Sequence, residues 1–155
     1  MLTNIGGVEA RQGILGATEI GEAALEDLRE RAPRPAVAKR ISVFGLGYVG
    51  AVSLACLARD GHRVVGVDID ASKLELIRAR KSPILEEGIQ ELMRDVVDSG
   101  RVTVTDDAAQ AVRDTEISFV CVGTPSAANG SQDLTAIMRL VGQIGTALRE
   151  KRAFH

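Results

Sequence analysis

Three glycines in a G-x-G-x-x-G spacing close the run Ile41-Ser-Val-Phe-Gly-Leu-Gly-Tyr-Val-Gly50, and a second apolar run, Val64-Val-Gly-Val-Asp68, ends on an acid 18 residues after Gly50. Each glycine has a mechanical task in a strand–helix–strand unit. Gly45 takes the tight turn off the strand, Gly47 lets backbone approach a pyrophosphate, and Gly50 lets the new helix pack against the sheet. A helix beginning at Tyr48 offers free N–H groups and the positive end of its dipole to an anion. Asp68 stands where a carboxylate binds the adenosine ribose hydroxyls. The unit therefore predicts a dinucleotide site. The plainer alternative is a strand-to-helix turn whose glycines serve packing alone.

The rest of the chain supplies the context that such a loop needs. Apolar segments predict strands over 41–44, 63–67, 102–105 and 117–122, with helical segments between them. The first helix runs from Tyr48 to Arg59. Ser72 is the expected N-cap of the next, which Lys81-Ser-Pro83 breaks. Further helices are expected over 87–99, closed by Gly100, over 107–113, and from an Asp133 cap to about Lys151. Alternating strands and helices predict an α/β fold, a Rossmann-like doubly wound parallel sheet covered on both faces. Four strands fall short of a whole doubly wound sheet, so the sequence reads as a piece of a longer enzyme, incomplete at its C-terminus, with an apolar strand edge left open.

Bulk properties narrow the class. The 155 residues are 45% hydrophobic and 26% charged, which suits one globular domain with its own core. A net charge of −2 with dispersed Lys and Arg gives no basic patch for nucleic acid. No stretch approaches the length of a membrane span and no secretory signal is visible, so a cytoplasmic location is expected. Cys56 and Cys121 are far apart and read as small buried hydrophobes; with His62 and His155 they form no metal-ligand spacing, so no metal is expected.

Residues 1–39 differ in character, with glycines at positions 6, 7, 13, 16 and 21, an acidic stretch, and Arg31-Ala-Pro-Arg-Pro35. Within them Thr18 to Glu30 places Ile20, Ala24 and Leu28 on one stripe and Glu22, Glu26 and Glu30 on another. The segment is expected to be a poorly ordered extension, with a partner-binding helix as the sharper alternative. The domain proper is expected over 40–155.

Four ordered motifs carry a family resemblance: Phe44-Gly-Leu-Gly-Tyr-Val-Gly50, Gly61-His-Arg-Val-Val-Gly-Val-Asp68, Lys81-Ser-Pro-Ile-Leu-Glu-Glu-Gly88 and Phe119-Val-Cys-Val-Gly-Thr-Pro-Ser126. Together they resemble the N-terminal, NAD-binding domain of the nucleotide-sugar 6-dehydrogenases. Gly-Tyr-Val-Gly-Ala-Val, Lys-Ser-Pro-Ile and the ending over 144–151 look nearest the branch acting on GDP-mannose, with the UDP-glucose branch next. The resemblance implies two NAD-dependent hydride removals that take a C6 alcohol to a carboxylate, with a cysteine thiohemiacetal holding the aldehyde between them. It also implies a homo-oligomer for the full-length enzyme.

Carried over by position, the resemblance places the backbone N–H groups of Tyr48 and Val49 at the pyrophosphate beside Gly45, Gly47 and Gly50. Asp68 with Lys73 would hold the adenosine ribose, and Thr124 would sit at the nicotinamide end. An acid at 68 favours NAD over NADP, since it would repel a 2′-phosphate. Two departures stand out. Glu86-Glu87-Gly88 replaces the family's Glu-Pro-Gly, and neither Cys56 nor Cys121 matches the nucleophile's motif. No catalytic residue is therefore assigned in this chain, and the chain alone is expected to be inactive. A dinucleotide-binding module without catalysis is the alternative from another class.

Overall fold

A computed structural model describes residues 37–126 and 129–155. The helix expected over Thr18 to Glu30 lies outside the described residues. Among the described residues, four strands and five helices follow one another as β1 (Arg40–Phe44), α1 (Tyr48–Arg59), β2 (Arg63–Val67), α2 (Ala71–Arg78), α3 (Ile89–Asp98), β3 (Val102–Thr105), α4 (Ala108–Asp114), β4 (Ile117–Val120) and α5 (Thr135–Glu150). The strands make one parallel sheet in the order β3-β2-β1-β4.

That order follows from the chain path. The connection through α1 returns the chain beside β1, and α2 with α3 carries it one place further out. Then α4 crosses back over the sheet and lays β4 on the other side of β1. The direction of winding therefore reverses between β1 and β4, and the ends of those two strands flank the crevice where open α/β sheets bind ligands.

Each face of the sheet has its own core. Val43, Leu46, Val64 and Val102 pack with Leu54, Ala55 and Ala58 of α1, Leu74 and Ile77 of α2, and Met93 and Val96 of α3. On the opposite face Phe44 and Val67 pack with Ala111 and Val112 of α4 and Ala147 of α5. Strands buried from both sides read as the continuous apolar runs that β1 and β2 show. Gly66, inside β2, is small for a packing reason: a Cβ there would lie 2.6 Å from Leu54 Cδ1.

The element boundaries correct the sequence reading in a few places. Asp70, not Ser72, caps α2, because its carboxylate accepts the Ser72 N–H at 2.9 Å and the helix starts two residues earlier than a Ser72 cap requires. The strand expected over 117–122 ends at Val120. Cys121 still donates its N–H to the Phe44 carbonyl, but beyond that β1 has turned away at Gly45, so the pairing goes no further. Asp107 caps α4 through the Gln110 N–H. Asp133 accepts the Thr135 N–H at 2.9 Å, one residue ahead of the helical N-cap position at Leu134. Cys56 and Cys121 are half-buried, not buried. The open edge is as anticipated: Ile117, Phe119 and Val120 of β4 are each about two-fifths exposed.

Candidate dinucleotide site

The glycine loop is built by close backbone contact. Gly45 has φ +91°, a conformation that side chains rarely adopt, and a Cβ there would lie 2.9 Å from the Cys121 carbonyl oxygen. Its N–H donates to the Val67 carbonyl at 2.7 Å, which ties the turn to the end of β2. A Cβ on Gly50 would come within 1.7 Å of the Gly45 carbonyl oxygen, so α1 can start here only because residue 50 has no side chain. Above Gly47 the space is open, with nothing within 4 Å of a built Cβ. These three observations match the three tasks of the motif.

Helix α1 opens without a side-chain cap and with no acid in its first turn. Its first intrahelical bond joins the Ala51 N–H to the Gly47 carbonyl, so the N–H groups of Tyr48 and Val49 precede the ladder and point out of the helix end. Both side chains lie on the surface. An anion at this end would find unpaired donors and a favourable dipole.

Asp68 is the most constrained polar residue of the site. It is 8% exposed, and its carboxylate accepts three bonds: Leu46 N–H to Oδ2 at 2.6 Å, Asp70 N–H to Oδ1 at 2.9 Å, and Lys73 Nζ to Oδ2 at 3.1 Å. Burial works against its charge, but the Asp70 and Leu46 N–H groups and the Lys73 ammonium outweigh it and hold the carboxyl below its ordinary value. Lys73 reaches it from the first turn of α2 and is one-third exposed, so it is an ion-paired residue of the site wall rather than a freely solvated lysine.

A cavity of about 590 Å³, within the size range of small-molecule sites, runs along the carboxyl ends of the strands. Gly45, Gly47, Asp68 and Lys73 line it, together with Ile69, Asp106, Ala108, Cys121, Gly123, Leu140, Arg139 and Gln143. The structure thus brings the glycine loop, the acid and Lys73 to one cavity. Thr124 is half-buried in the turn after β4 and is not among the lining residues; Tyr48, Val49 and Gly50 flank the cavity at the start of α1 without lining it. Among the described residues no group of His, Cys, Asp or Glu could hold a metal ion, and no helix is long and apolar enough to cross a membrane.

The whole of the described cavity sits within a recognised protein module. The model of the UDP-glucose/GDP-mannose dehydrogenase family, NAD binding domain, matches residues 39–154. The chain belongs to this family. It is 49% identical over 116 residues to the GDP-mannose 6-dehydrogenase of Pseudomonas syringae pv. syringae, a match covering 75% of this chain and 26% of that protein. The crystal structure of a ternary complex of GDP-mannose dehydrogenase from Pseudomonas aeruginosa superposes with a TM-score of 0.72 at 49% identity, covering 74% of this chain and 26% of that one. A UDP-glucose dehydrogenase from the archaeon Pyrobaculum islandicum gives the same TM-score at 39% identity, over 77% and 28%. The chain spans about a quarter of the length of these relatives.

The chain is an NAD-binding domain of the nucleotide-sugar dehydrogenase family, and the residues above fit a dinucleotide. Open space over Gly47, unpaired N–H groups at α1 and a buried, ionised acid at the end of β2 are what a dinucleotide's diphosphate and ribose need. Sequence reasoning missed several contributors. The Leu46 N–H bond to Asp68 is a backbone contact with no sequence signature. Gln90 was also missed: its amide accepts the Ser82 N–H and donates to the Arg80 carbonyl, both at 3.0 Å, which shapes the loop over 81–88. In that loop the Glu86 carboxylate holds the Tyr48 phenol above its ordinary value. Arg139 and Gln143 on α5 carried only an i, i+4 spacing as a signal.

Proposed function

We propose that this chain is the cofactor-holding part of a nucleotide-sugar 6-dehydrogenase that converts the C6 alcohol of GDP-mannose to a carboxylate with two NAD. UDP-glucose is the alternative substrate. The observation that carries this reading is the joint presence of the glycine loop, Asp68 and Lys73 around one cavity, in a chain 49% identical to GDP-mannose 6-dehydrogenases.

In this reading residues 40–155 are the domain and residues 1–39 an extension ahead of it. The N–H groups of Tyr48 and Val49 hold the diphosphate, with Gly45, Gly47 and Gly50 giving it room. Asp68 and Lys73 hold the adenosine ribose, and Thr124 lies toward the nicotinamide. Bound NAD supplies a hydride acceptor. The domain's own task is to bind that acceptor, orient it at the strand ends and present one face of it to the sugar. The nucleophile, the proton-transferring groups and the sugar pocket are assigned to polypeptide beyond these residues, so the chain by itself is inactive. The full-length enzyme is a homo-oligomer working in the cytoplasm, where NAD and nucleotide sugars are at hand.

Calorimetric titration of the folded chain with NAD and, separately, NADP tests the reading. NAD binding with NADP rejected supports it. Binding of neither by a folded chain, or retention of an unrelated nucleotide such as S-adenosylmethionine alone, overturns it.

A further inference from the structure

We propose that Arg139 and Gln143 of α5 form a purine clamp at the adenosine end of the cavity, Arg139 stacking its guanidinium on the base and Gln143 reading the base edge. This rests on the dinucleotide reading of the cavity. It adds a base-recognition element from a helix that carries none of the family motifs quoted for the site.

Gly45, Gly47, Asp68 and Lys73 take the phosphates and ribose, which leaves the remaining lining for the base. Ile69, which follows the acid directly, lines the cavity and is 97% exposed, an apolar side chain held in water. Ala108, Leu140, Arg139 and Gln143 line the same cavity from α4 and α5. Arg139 and Gln143 also border a shallower groove with Ala109 of α4.

Helical spacing of four residues puts Arg139 and Gln143 on one face of α5, while Ile144 and Ala147 turn toward the core. Among the described residues Arg139 has no carboxylate partner, unlike Arg40, Arg59, Arg78 and Arg80. A planar, weakly hydrated cation free to lie flat, in a cavity that an exposed isoleucine also lines, suits a flat aromatic base. The Gln143 amide offers both a donor and an acceptor, which matches the mixed edge of adenine, with its amino group and ring nitrogens.

The test titrates the full chain and two sets of variants with ADP-ribose, nicotinamide mononucleotide and the hypoxanthine analogue of NAD. Arg139→Ala should weaken ADP-ribose binding roughly tenfold and leave nicotinamide mononucleotide unchanged. Arg139→Lys should not restore the loss, because an ammonium keeps the charge without the plane. Gln143→Leu should narrow the preference for NAD over its hypoxanthine analogue. Circular dichroism of each variant should match the parent, since both side chains lie on the surface. Unchanged ADP-ribose binding in Arg139→Ala overturns the clamp, and full recovery in Arg139→Lys reassigns Arg139 to a phosphate. A parent chain that binds neither ADP-ribose nor NAD fails at the earlier step, and the dinucleotide reading falls with it.

Discussion

The backbone N–H of Leu46 donates to Asp68 Oδ2 across 2.6 Å, so the acid at the end of β2 is fastened to the middle of the glycine loop at the end of β1. The same oxygen accepts Lys73 Nζ at 3.1 Å. Asp68 is therefore a structural tie as well as the expected ribose acceptor. Replacing it with Ala leaves a buried N–H without a partner and should cost about 1–3 kcal/mol of folding stability. NAD affinity, measured where the variant is folded, should fall by about 1–3 kcal/mol as well. Asp68→Asn keeps one carbonyl oxygen and should lose less stability than Ala. Urea unfolding and calorimetry check both, and a wild-type unfolding midpoint in Asp68→Ala would contradict the tie.

The depressed ionisation of Asp68 fixes a pH dependence with a definite sign. A carboxyl held below its ordinary value binds its proton less readily folded than unfolded. Its stabilisation is complete above the ordinary carboxylate range near about 4 and is lost as pH falls through the depressed value. The gap in unfolding free energy between the wild type and Asp68→Asn should hold constant from neutral pH to about 5 and shrink below about 4. A gap that widens in acid would show the sign to be wrong.

Gly50 and Gly47 should separate folding from binding. Gly50→Ala drives a methyl group to within 1.7 Å of the Gly45 carbonyl oxygen, where only backbone can yield, and should destabilise by about 3 kcal/mol. Gly47 has extended backbone at φ −77° and ψ −162° with open space beside it. Gly47→Val should cost only about 1 kcal/mol at this N-cap, yet fill the space a diphosphate needs and reduce NAD affinity by more than tenfold. Thermal melts and titration of the same two variants check this. Normal NAD binding by Gly47→Val would move the cofactor elsewhere.

The loop over 81–88 should depend on Gln90. With the proline of the family pattern replaced by Glu87, the Gln90 amide bridges the Ser82 N–H and the Arg80 carbonyl. Gln90→Ala removes both bonds and should speed hydrogen exchange at the Ser82 amide about tenfold, in line with the loss of a hydrogen bond worth about 1 kcal/mol. The amides of β1 should keep their protection. Unchanged exchange at Ser82 would place the loop's order elsewhere, for instance in the Ser82 hydroxyl bonded to Ile84.

Much of the fold was legible because it is written in local patterns. The apolar runs of β1 and β2, buried from both faces, and the glycines of the first turn need only their neighbours in sequence to be read. Errors gathered where two distant segments compete for one backbone group. The 117–122 strand ends early because β1 turns away beneath it at Gly45, which is information held by another strand. The other error is local: Asp70, two residues before Ser72, accepts the Ser72 N–H and caps α2, and since both residue types suit a cap, composition alone does not decide between them.

By itself the sequence determined the class of fold, the location of the glycine turn, the acid at its side and the family to which they belong. These rest on spacing along the chain, and a turn that admits no side chain must be spelled in glycine. The tertiary structure alone decided that Asp68 grips Leu46 and Lys73 together, and that α5 brings Arg139 and Gln143 to the same cavity. Those relationships join residues from 5 to more than 70 positions apart along the chain. They are set by how helices pack on a twisted sheet, and linear spacing carries no record of that.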